Sequence, residues 1–478
     1  MADTILKNGL VLTCEPDLLR GEIFFPGAVA VEDGRIVAVG KEKDILSAHP
    51  EAGETVDAGG GVIMPGFVIT HTHMPYVLGH NQPVDVTQLT SFWDMLQKMG
   101  WEWLEDITTC EGIYAATRYA GMKMLKNGTT TVCELVEAPN ALHGDGRFES
   151  PLQASLSAIR EIGLRAQIGY EVTERIPGVS INEKLDFGMA ERGFQENLKA
   201  ADLISSRLAK EGSFPGGERV AVRMGVHTAY TNSPETLRRA RELADRFSLG
   251  MQIHIAEIPR AFLVEKYGRS APALLEECGL LGPDVVAAHC IDLTDEDLEI
   301  LARNEVNVAH TPMTNSLGGN GVARVPEMME RKINVSLGHD CFFTLDTAEY
   351  IRYAYLLHKA HRADPAVLPP FQAVDLALSH GARALGMENI VGSLKAGKQA
   401  DMIIIKPDSP VPVTPASVIS YLTMTFQGRN VDTVFVAGEK LVAGGRAIRV
   451  DEEDICLSCI EEARKLWARN GIEVTNGQ

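Results

Sequence analysis

Val62-Ile63-Met64-Pro65-Gly66-Phe67-Val68-Ile69-Thr70-His71-Thr72-His73 is the stretch on which the reading of this chain turns. An apolar run from Val62 to Thr70 reads as a strand and stops on two imidazoles one residue apart. In an extended segment, residues i and i+2 point to the same side, so His71 and His73 can face a single ion.

Working outward, the region from about 60 to 390 repeats one pattern, short apolar runs alternating with helical stretches. That is the pattern of a parallel sheet built from βα units. Seven runs follow Val62 to Thr70: Thr129 to Leu135, Arg165 to Val172, Val220 to His227, Met251 to Glu257, Val285 to Cys290, Val306 to Thr311, and Asn334 to Asp340. Eight βα units in this length predict a TIM-type (β/α)8 barrel. The ends of the chain differ. Ala28 to Val31 and Ile36 to Val39 flank Asp33-Gly34, a tight-turn signal, and Val434 to Val436 and Lys440 to Val442 flank Ala437-Gly438-Glu439. The two β-rich ends are expected to pair into one small composite β domain. The expected division is 1–59 and 391–450 for that β-sandwich, 60–390 for the barrel and 451–478 for a C-terminal helix.

In such a barrel the functional groups sit at the carboxyl ends of the strands. The fifth run contains His254-Ile255-Ala256-Glu257, the sixth ends in His289 and the eighth in His339-Asp340. Of the 13 histidines, five (71, 73, 227, 254 and 289) fall at or near predicted strand ends. Neutral imidazole and carboxylate are good ligands for zinc or iron. Three histidines and Asp340 are therefore expected to hold one divalent metal, which brings the pKa of water toward neutrality. Asp340 is placed to take the water proton as well. Glu257 is placed to pass a proton to a leaving nitrogen, and His289 to polarise the substrate or orient water.

These motifs resemble the amidohydrolase superfamily, in its branch of heterocycle deaminases and chlorohydrolases. Pro65 to His73 is similar to the branch's opening motif, His254 to Glu257 to its His-x-x-Glu, and Ala288-His289-Cys290 and Val308 to Pro312 to the next two blocks. Gly392 to Asp401 resembles the strand entry of its β domain. The resemblance spans about residues 5 to 445. It implies the barrel, the composite β domain, and metal ligation by His71, His73, His254 and Asp340. It also implies catalysis by Glu257 and His289, which with His227 are the expected substrate contacts. Two-metal members carry a bridging lysine after strand four. This chain reads Met224-Gly225-Val226-His227 there, so one metal is expected, zinc ahead of iron. One departure stands out. The branch's Gly-Thr-Asp and small polar loop is replaced by Gly338-His339-Asp340-Cys341-Phe342-Phe343, which puts recognition of a polar purine edge in doubt.

Composition sets the outer limits. The 478 residues are 45% apolar and 23% charged, as in a soluble globular protein. The formal charge of −19 disfavours nucleic acid and anionic membranes as partners. Eight cysteines without regular spacing read as free thiols. No run of about 18 apolar residues occurs, and the first residues carry no signal-peptide pattern. A cytoplasmic protein, a homodimer or higher homo-oligomer, is expected. Cys456-x-x-Cys459 and Gly318-Gly319-Asn320-Gly321 are read as helix and loop without chemistry of their own. The expected activity is hydrolysis of a non-peptide carbon–nitrogen bond, foremost deamination of a purine, pterin or triazine-type heterocycle. Amide, urea or carbamate hydrolysis and ring dechlorination are the alternatives, with a non-catalytic scaffold the remote one.

Overall fold

The computed structural model describes residues 2–83, 85–138, 146–181, 183–211, 219–341, 343–472 and 474. Two sheets organise it. The first takes β1 (Thr4–Leu12), β2 (Ile23–Glu32), β3 (Arg35–Lys41), β4 (Glu54–Asp57) and β5 (Val62–Pro65) from the amino-terminal end. The second is formed by β6 (Phe67–Thr72), β7 (Thr129–Val136), β8 (Arg165–Val172), β9 (Val220–Thr228), β10 (Gly250–Ile255), β11 (Val285–His289), β12 (Asn307–His310) and β13 (Val335–Leu337). The first sheet is completed by β14 (Met402–Ile405), β15 (Val431–Val436), β16 (Glu439–Ala443) and β17 (Arg446–Ala447).

The eight strands β6 to β13 run parallel in chain order, each paired with the next. The ring closes where β13 returns to β6. Thr70 Oγ1 meets Ser336 Oγ at 2.7 Å and Leu337 O at 3.1 Å. Beyond the strands, His339 N–H donates to His71 O at 2.9 Å and His73 N–H to Asp340 O at 3.0 Å. This is the expected (β/α)8 barrel. Its strands are buried along almost their whole length, as a sheet covered on both faces requires. Four of the connecting helices start on side-chain caps: Thr109, Ser150, Ser233 and Thr294 each accept a first-turn N–H.

The terminal sheet draws on both ends of the chain. Its order is β17-β16-β15-β14-β5-β1-β2-β3, with β4 beside β1. Both predicted tight turns are present as left-handed pairs: Asp33 and Gly34 at φ 49° and 72°, Ala437 and Gly438 at 49° and 76°. Such φ values at both central positions twist a hairpin in the sense strands prefer. The helix Glu452–Arg469 packs on the barrel helix Cys110–Lys126 through Arg118–Asp454 and Lys126–Glu452 pairs at 2.9 and 2.6 Å.

One expectation needs correction. Val62 to Thr70 is not a single barrel strand. Val62–Pro65 pairs with β14 and β1, placing Ile404 opposite Ile63 and Leu10 opposite Val62. Only from Phe67 does the chain enter the barrel. Gly66 makes the step because a Cβ there would stand 2.2 Å from the Thr130 side chain. The terminal sheet thus reaches Pro65, beyond the expected barrel start at 60. A buried ion pair ties the two sheets together: Arg165, at the foot of β8, donates to Asp401 from Nε at 2.8 Å and from Nη2 at 2.9 Å.

Candidate metal centre and active site

Strand ends bring the predicted histidines together. His71 and His73 leave β6, His254 lies near the end of β10, His289 ends β11 and Asp340 follows β13. All five side chains are buried. His71 Nε2 and His73 Nε2 each lie 3.3 Å from Asp340 Oδ1, and His73 Nε2 lies 3.3 Å from His254 Nε2.

The tautomers say what belongs between these atoms. His73 Nδ1 donates to Leu135 O and His254 Nδ1 to His227 O, both at 2.8 Å. A backbone carbonyl only accepts, so Nδ1 of each ring carries a proton; although burial opposes it, the Glu137 and Asp340 carboxylates push His73 well above the usual histidine range, and a cation taking its Nε2 lone pair displaces the second proton. Two Nε2 lone pairs then face each other and the Asp340 carboxylate. Lone pairs at that separation repel unless a cation lies between them. Tetrahedral coordination at about 2.0–2.1 Å sets ligand atoms about 3.3 Å apart, the separation seen here. His71 Nε2 and Asp340 Oδ2 have no hydrogen-bond partner. Burial pushes His71 down to about 4 and His254 well below the usual histidine range, so both are neutral and able to ligate. Burial alone would raise Asp340. Its nearness to the His289, His71 and His73 imidazoles instead holds it well below the usual carboxylate range. The residues fit a divalent cation.

The backbone is strained to present them. Ala256, His289, Cys290 and Asp340 have φ of 51°, 70°, 52° and 62°, a region that L-residues avoid. Each such position costs about 1–3 kcal/mol and persists only where surrounding contacts fix it. Here Cys290 N–H donates to Ile255 O at 2.8 Å, and Asp340 is held by the ring closure.

Glu257 stands beside the centre. Its Oε1 is 3.5 Å from His289 Nε2, and Tyr230 OH donates to its Oε2 at 3.4 Å. Burial raises its pKa, against the opposing effect of His289. His289 Nδ1 donates to Asn315 Oδ1 at 3.0 Å and lies 2.9 Å from Thr311 Oγ1, which aims Nε2 at Glu257. Glu257 also lines a cavity of about 670 Å³ whose wall includes Phe92, Met95, Met99 and Ile291. The Gly318–Gly321 loop also lines it. Trp93 and Trp101 pack edge to face nearby, and Trp101 reaches the His227 ring at 6.1 Å.

Other predicted residues fall elsewhere. His227 is buried near the cluster, with Nδ1 2.8 Å from Thr231 Oγ1 and Nε2 3.6 Å from Glu137 Oε1. His339 turns away, bonding Thr347 Oγ1 at 3.0 Å and stacking on Tyr350 at 4.1 Å. Cys341 is partly exposed beside the centre. Phe342 lies outside the described residues. All eight cysteines are free, Cys456 and Cys459 included.

Sequence reasoning missed the acids at the ends of β7 and β8. Glu134 accepts the Met74 N–H at 3.0 Å, fixing the turn after His73, and burial pushes it up to about 8. Glu137 follows β7, and Glu171 is the next-to-last residue of β8, with Glu105 and Arg175 nearby. The rule that located the histidines, chemistry at strand ends, applies to Glu134-Leu135-Val136-Glu137 as well.

Comparison with known proteins places this arrangement. Residues 62–441 match the description "Amidohydrolase family", and residues 27–52 match "Imidazolonepropionase-like composite domain, bacteria". A 5'-deoxyadenosine deaminase of Methanosarcina acetivorans is 34% identical over 472 residues, covering 97% of each chain. A 5-methylthioadenosine/S-adenosylhomocysteine deaminase of Moorella thermoacetica is 33% identical over 93% of this chain and 96% of its own. Among solved structures, an adenosine deaminase from Xanthomonas campestris with bound zinc superposes with a TM-score of 0.82 at 23% identity, over 98% of this chain and 99% of that one. That likeness is one of fold. A sequence match spanning barrel and terminal sheet, over a centre of imidazoles and one aspartate at strand ends, makes this chain a member of the amidohydrolase family.

Proposed function

We propose that the chain is a metal-dependent hydrolytic deaminase of an aminated heterocycle, with His71, His73, His254 and Asp340 as ligands of one catalytic ion. The observation that carries the reading is the approach of His73 Nε2 to His254 Nε2 and to Asp340 Oδ1, each at 3.3 Å, with His71 Nε2 also 3.3 Å from Asp340 Oδ1. A divalent cation bound there lowers the pKa of water and polarises the substrate. Asp340 Oδ2, free of hydrogen bonds, takes the water proton. Glu257, beside His289 and raised by burial, is placed to pass a proton to the leaving nitrogen. His289 orients the group between itself and Glu257. Zinc is the proposed ion, in keeping with its bound state in the Xanthomonas relative.

Relatives alike over 97% of the chain support an adenine-type nucleoside as substrate class, with pterins and triazines next. Hydrolysis of an amide, urea or carbamate, or loss of ring chloride, is the second reading. The partly exposed Cys341 and Phe343 in place of small polar residues favour it. The barrel, with the boundary moved to 66, carries the chemistry, and the terminal sheet and helix support it. The free cysteines support a reducing, cytoplasmic setting. No helix among the described residues is long and apolar enough to cross a membrane. Leu457 and Ile460, exposed on the terminal helix, support a homo-oligomer.

The test is an ammonia-release screen over 5'-deoxyadenosine-type nucleosides, pterins, triazines and pyrimidines, with metal analysis of the same sample. Stoichiometric ammonia supports deamination. Chloride or an alkylamine released in its place selects the second reading. Full activity in Asp340→Asn or Glu257→Gln sinks the assignment of roles.

A further inference from the structure

The cavity of about 670 Å³ that reaches Glu257 has a one-sided chemistry. Phe92, Met95 and Met99 recur at the i, i+3, i+7 spacing of one helical face, and all three are buried. Ile258, Ile291 and Leu317 add to the apolar wall. Among the described lining residues Glu257 is the only proposed catalytic one, so the reacting ring enters at that end and the rest of the substrate lies in the cavity. No lysine, arginine or histidine is among the described residues that line it, whereas Asp292 is. The two arginines that flank the wall in sequence are engaged elsewhere. Arg260 Nε faces Asp297 Oδ2 at 3.7 Å, and Arg324 Nη2 donates to Asp295 Oδ1 at 2.7 Å. Of the buried side-chain nitrogen and oxygen atoms in the described lining, only Asn320 Nδ2 lacks a hydrogen-bond partner. An amide N–H is a neutral donor, suited to a hydroxyl oxygen.

An anionic group entering this cavity loses its water, meets no counter-charge and approaches Asp292. Desolvating a charge without a partner is strongly unfavourable, and a like charge nearby adds to the cost. Apolar groups gain from the same surroundings, by about fourfold in binding per buried methylene. The unbranched, polarisable side chains of Met95 and Met99 adapt to alkyl or sulfur-containing groups of different length. We propose that the cavity selects a heterocycle whose far end is an uncharged alkyl or thioether group, seated on Phe92, Met95 and Met99, and rejects one that ends in a phosphate or carboxylate. The proposal rests on the deaminase reading and narrows its substrate class. Met95 and Met99 are the attracting elements and Asp292 the repelling one, and specificity uses both.

The experiment measures ammonia release by the metal-loaded full chain from 5'-deoxyadenosine, its 5'-methylthio and 5'-propylthio derivatives, and adenosine 5'-phosphate. From methylthio to propylthio, kcat/KM is expected to rise by about fourfold per methylene. The phosphate is expected about 100-fold or more below 5'-deoxyadenosine. Asp292→Asn should raise the phosphate-to-methylthio ratio by about 10-fold, and Met95→Ala should flatten the thioether series. A flat series in the wild type, a phosphate handled as fast as 5'-deoxyadenosine, or an unchanged ratio in Asp292→Asn overturns the proposal. The wild-type series decides even where a variant fails to fold. Ammonia from 5'-deoxyadenosine with a flat series removes the tail selection and leaves the deaminase reading intact. If none of the four releases ammonia, the nucleoside reading falls, and calorimetric binding of the same compounds decides the tail selection alone. The same order of affinities supports it, and any other order, or no binding, overturns it.

Discussion

Replacing Arg165 by methionine tests how the terminal sheet is fastened to the barrel. Both Arg165 and Asp401 are within 2% of full burial, and the pair is bidentate, at 2.8 and 2.9 Å. Gln399 Oε1 also accepts from Arg165. In Arg165→Met the Asp401 carboxylate keeps the Ala437 N–H at 2.7 Å and the more distant charge of Arg219. A buried charge left in that state costs about 3–5 kcal/mol. Unfolding entropy of about 2.1 cal/mol/K per residue gives about 1 kcal/mol/K for a chain this long, so the melting temperature should fall by about 3–5 °C. Arg165→Met combined with Asp401→Asn removes the stranded charge and keeps an acceptor for Ala437. That double variant should recover about half of the loss, a non-additivity of about 2 kcal/mol. Scanning calorimetry on metal-loaded protein measures all three. A single variant melting within about 1 °C of wild type, or a double variant less stable than the sum of its parts, refutes this account of the junction.

Three further outcomes are expected. Glu257→Gln should lower kcat by about 10²–10⁴-fold while bound metal, measured on the same sample, stays at the wild-type level. Loss of metal would make Glu257 a ligand instead. Asn315→Leu removes the acceptor that fixes His289 Nδ1 and should cost about 10–100-fold in kcat/KM; an unchanged rate would mean Thr311 alone orients the ring. Although burial opposes it, hydrogen bonds from Ser393 and Lys395 and the charge of Lys398 hold Glu15 down at about 2 from an ordinary 4.5. A carboxylate depressed in the folded state stabilises above its unfolded pKa, and that contribution is lost as pH falls from about 4.5 toward 2. Solvent screening reduces its size to about 1 kcal/mol at neutral pH. Glu15→Gln should therefore melt lower at pH 7 and match wild type near pH 2.

Much of this architecture was legible in the residues. Apolar runs separated by helices gave the strand count, because a sheet covered on both faces must be apolar throughout. The convergence of His71 and His73 was readable because extended backbone puts alternate residues on one side. The Val62–Thr70 run misled for a physical reason: strands of two different sheets are both apolar when both are buried, and only the crowding of Gly66 against Thr130 separates them. The last run was read as reaching Asp340, yet β13 ends at Leu337. The chain leaves the ladder there to bond back to His71 and His73. Left-handed backbone at Ala256, His289, Cys290 and Asp340 gives no sequence signal, since none of them is glycine. Glu134 and Glu137 sit at a predicted strand end and obey the rule that located the histidines, yet they and Glu171 look in sequence like ordinary surface acids. Only the fold shows that β7 and β8 carry them inward.

The ring closure has a consequence for how the molecule is made. The proposed ligands span residues 71 to 340, and the hydrogen bonds that join His71 and His73 to the 339–340 segment are also the seam between the first and last strands. During synthesis His71 and His73 emerge roughly 270 residues before Asp340. At about 5–20 residues per second, that is a wait of tens of seconds at most. Throughout that interval the histidine pair has neither its carboxylate partner nor a neighbour on its open edge. Beyond it, β5 still awaits β14, another sixty residues on. Metal capture and completion of the barrel therefore fall late and together, and a chain truncated before Asp340 is deprived of both.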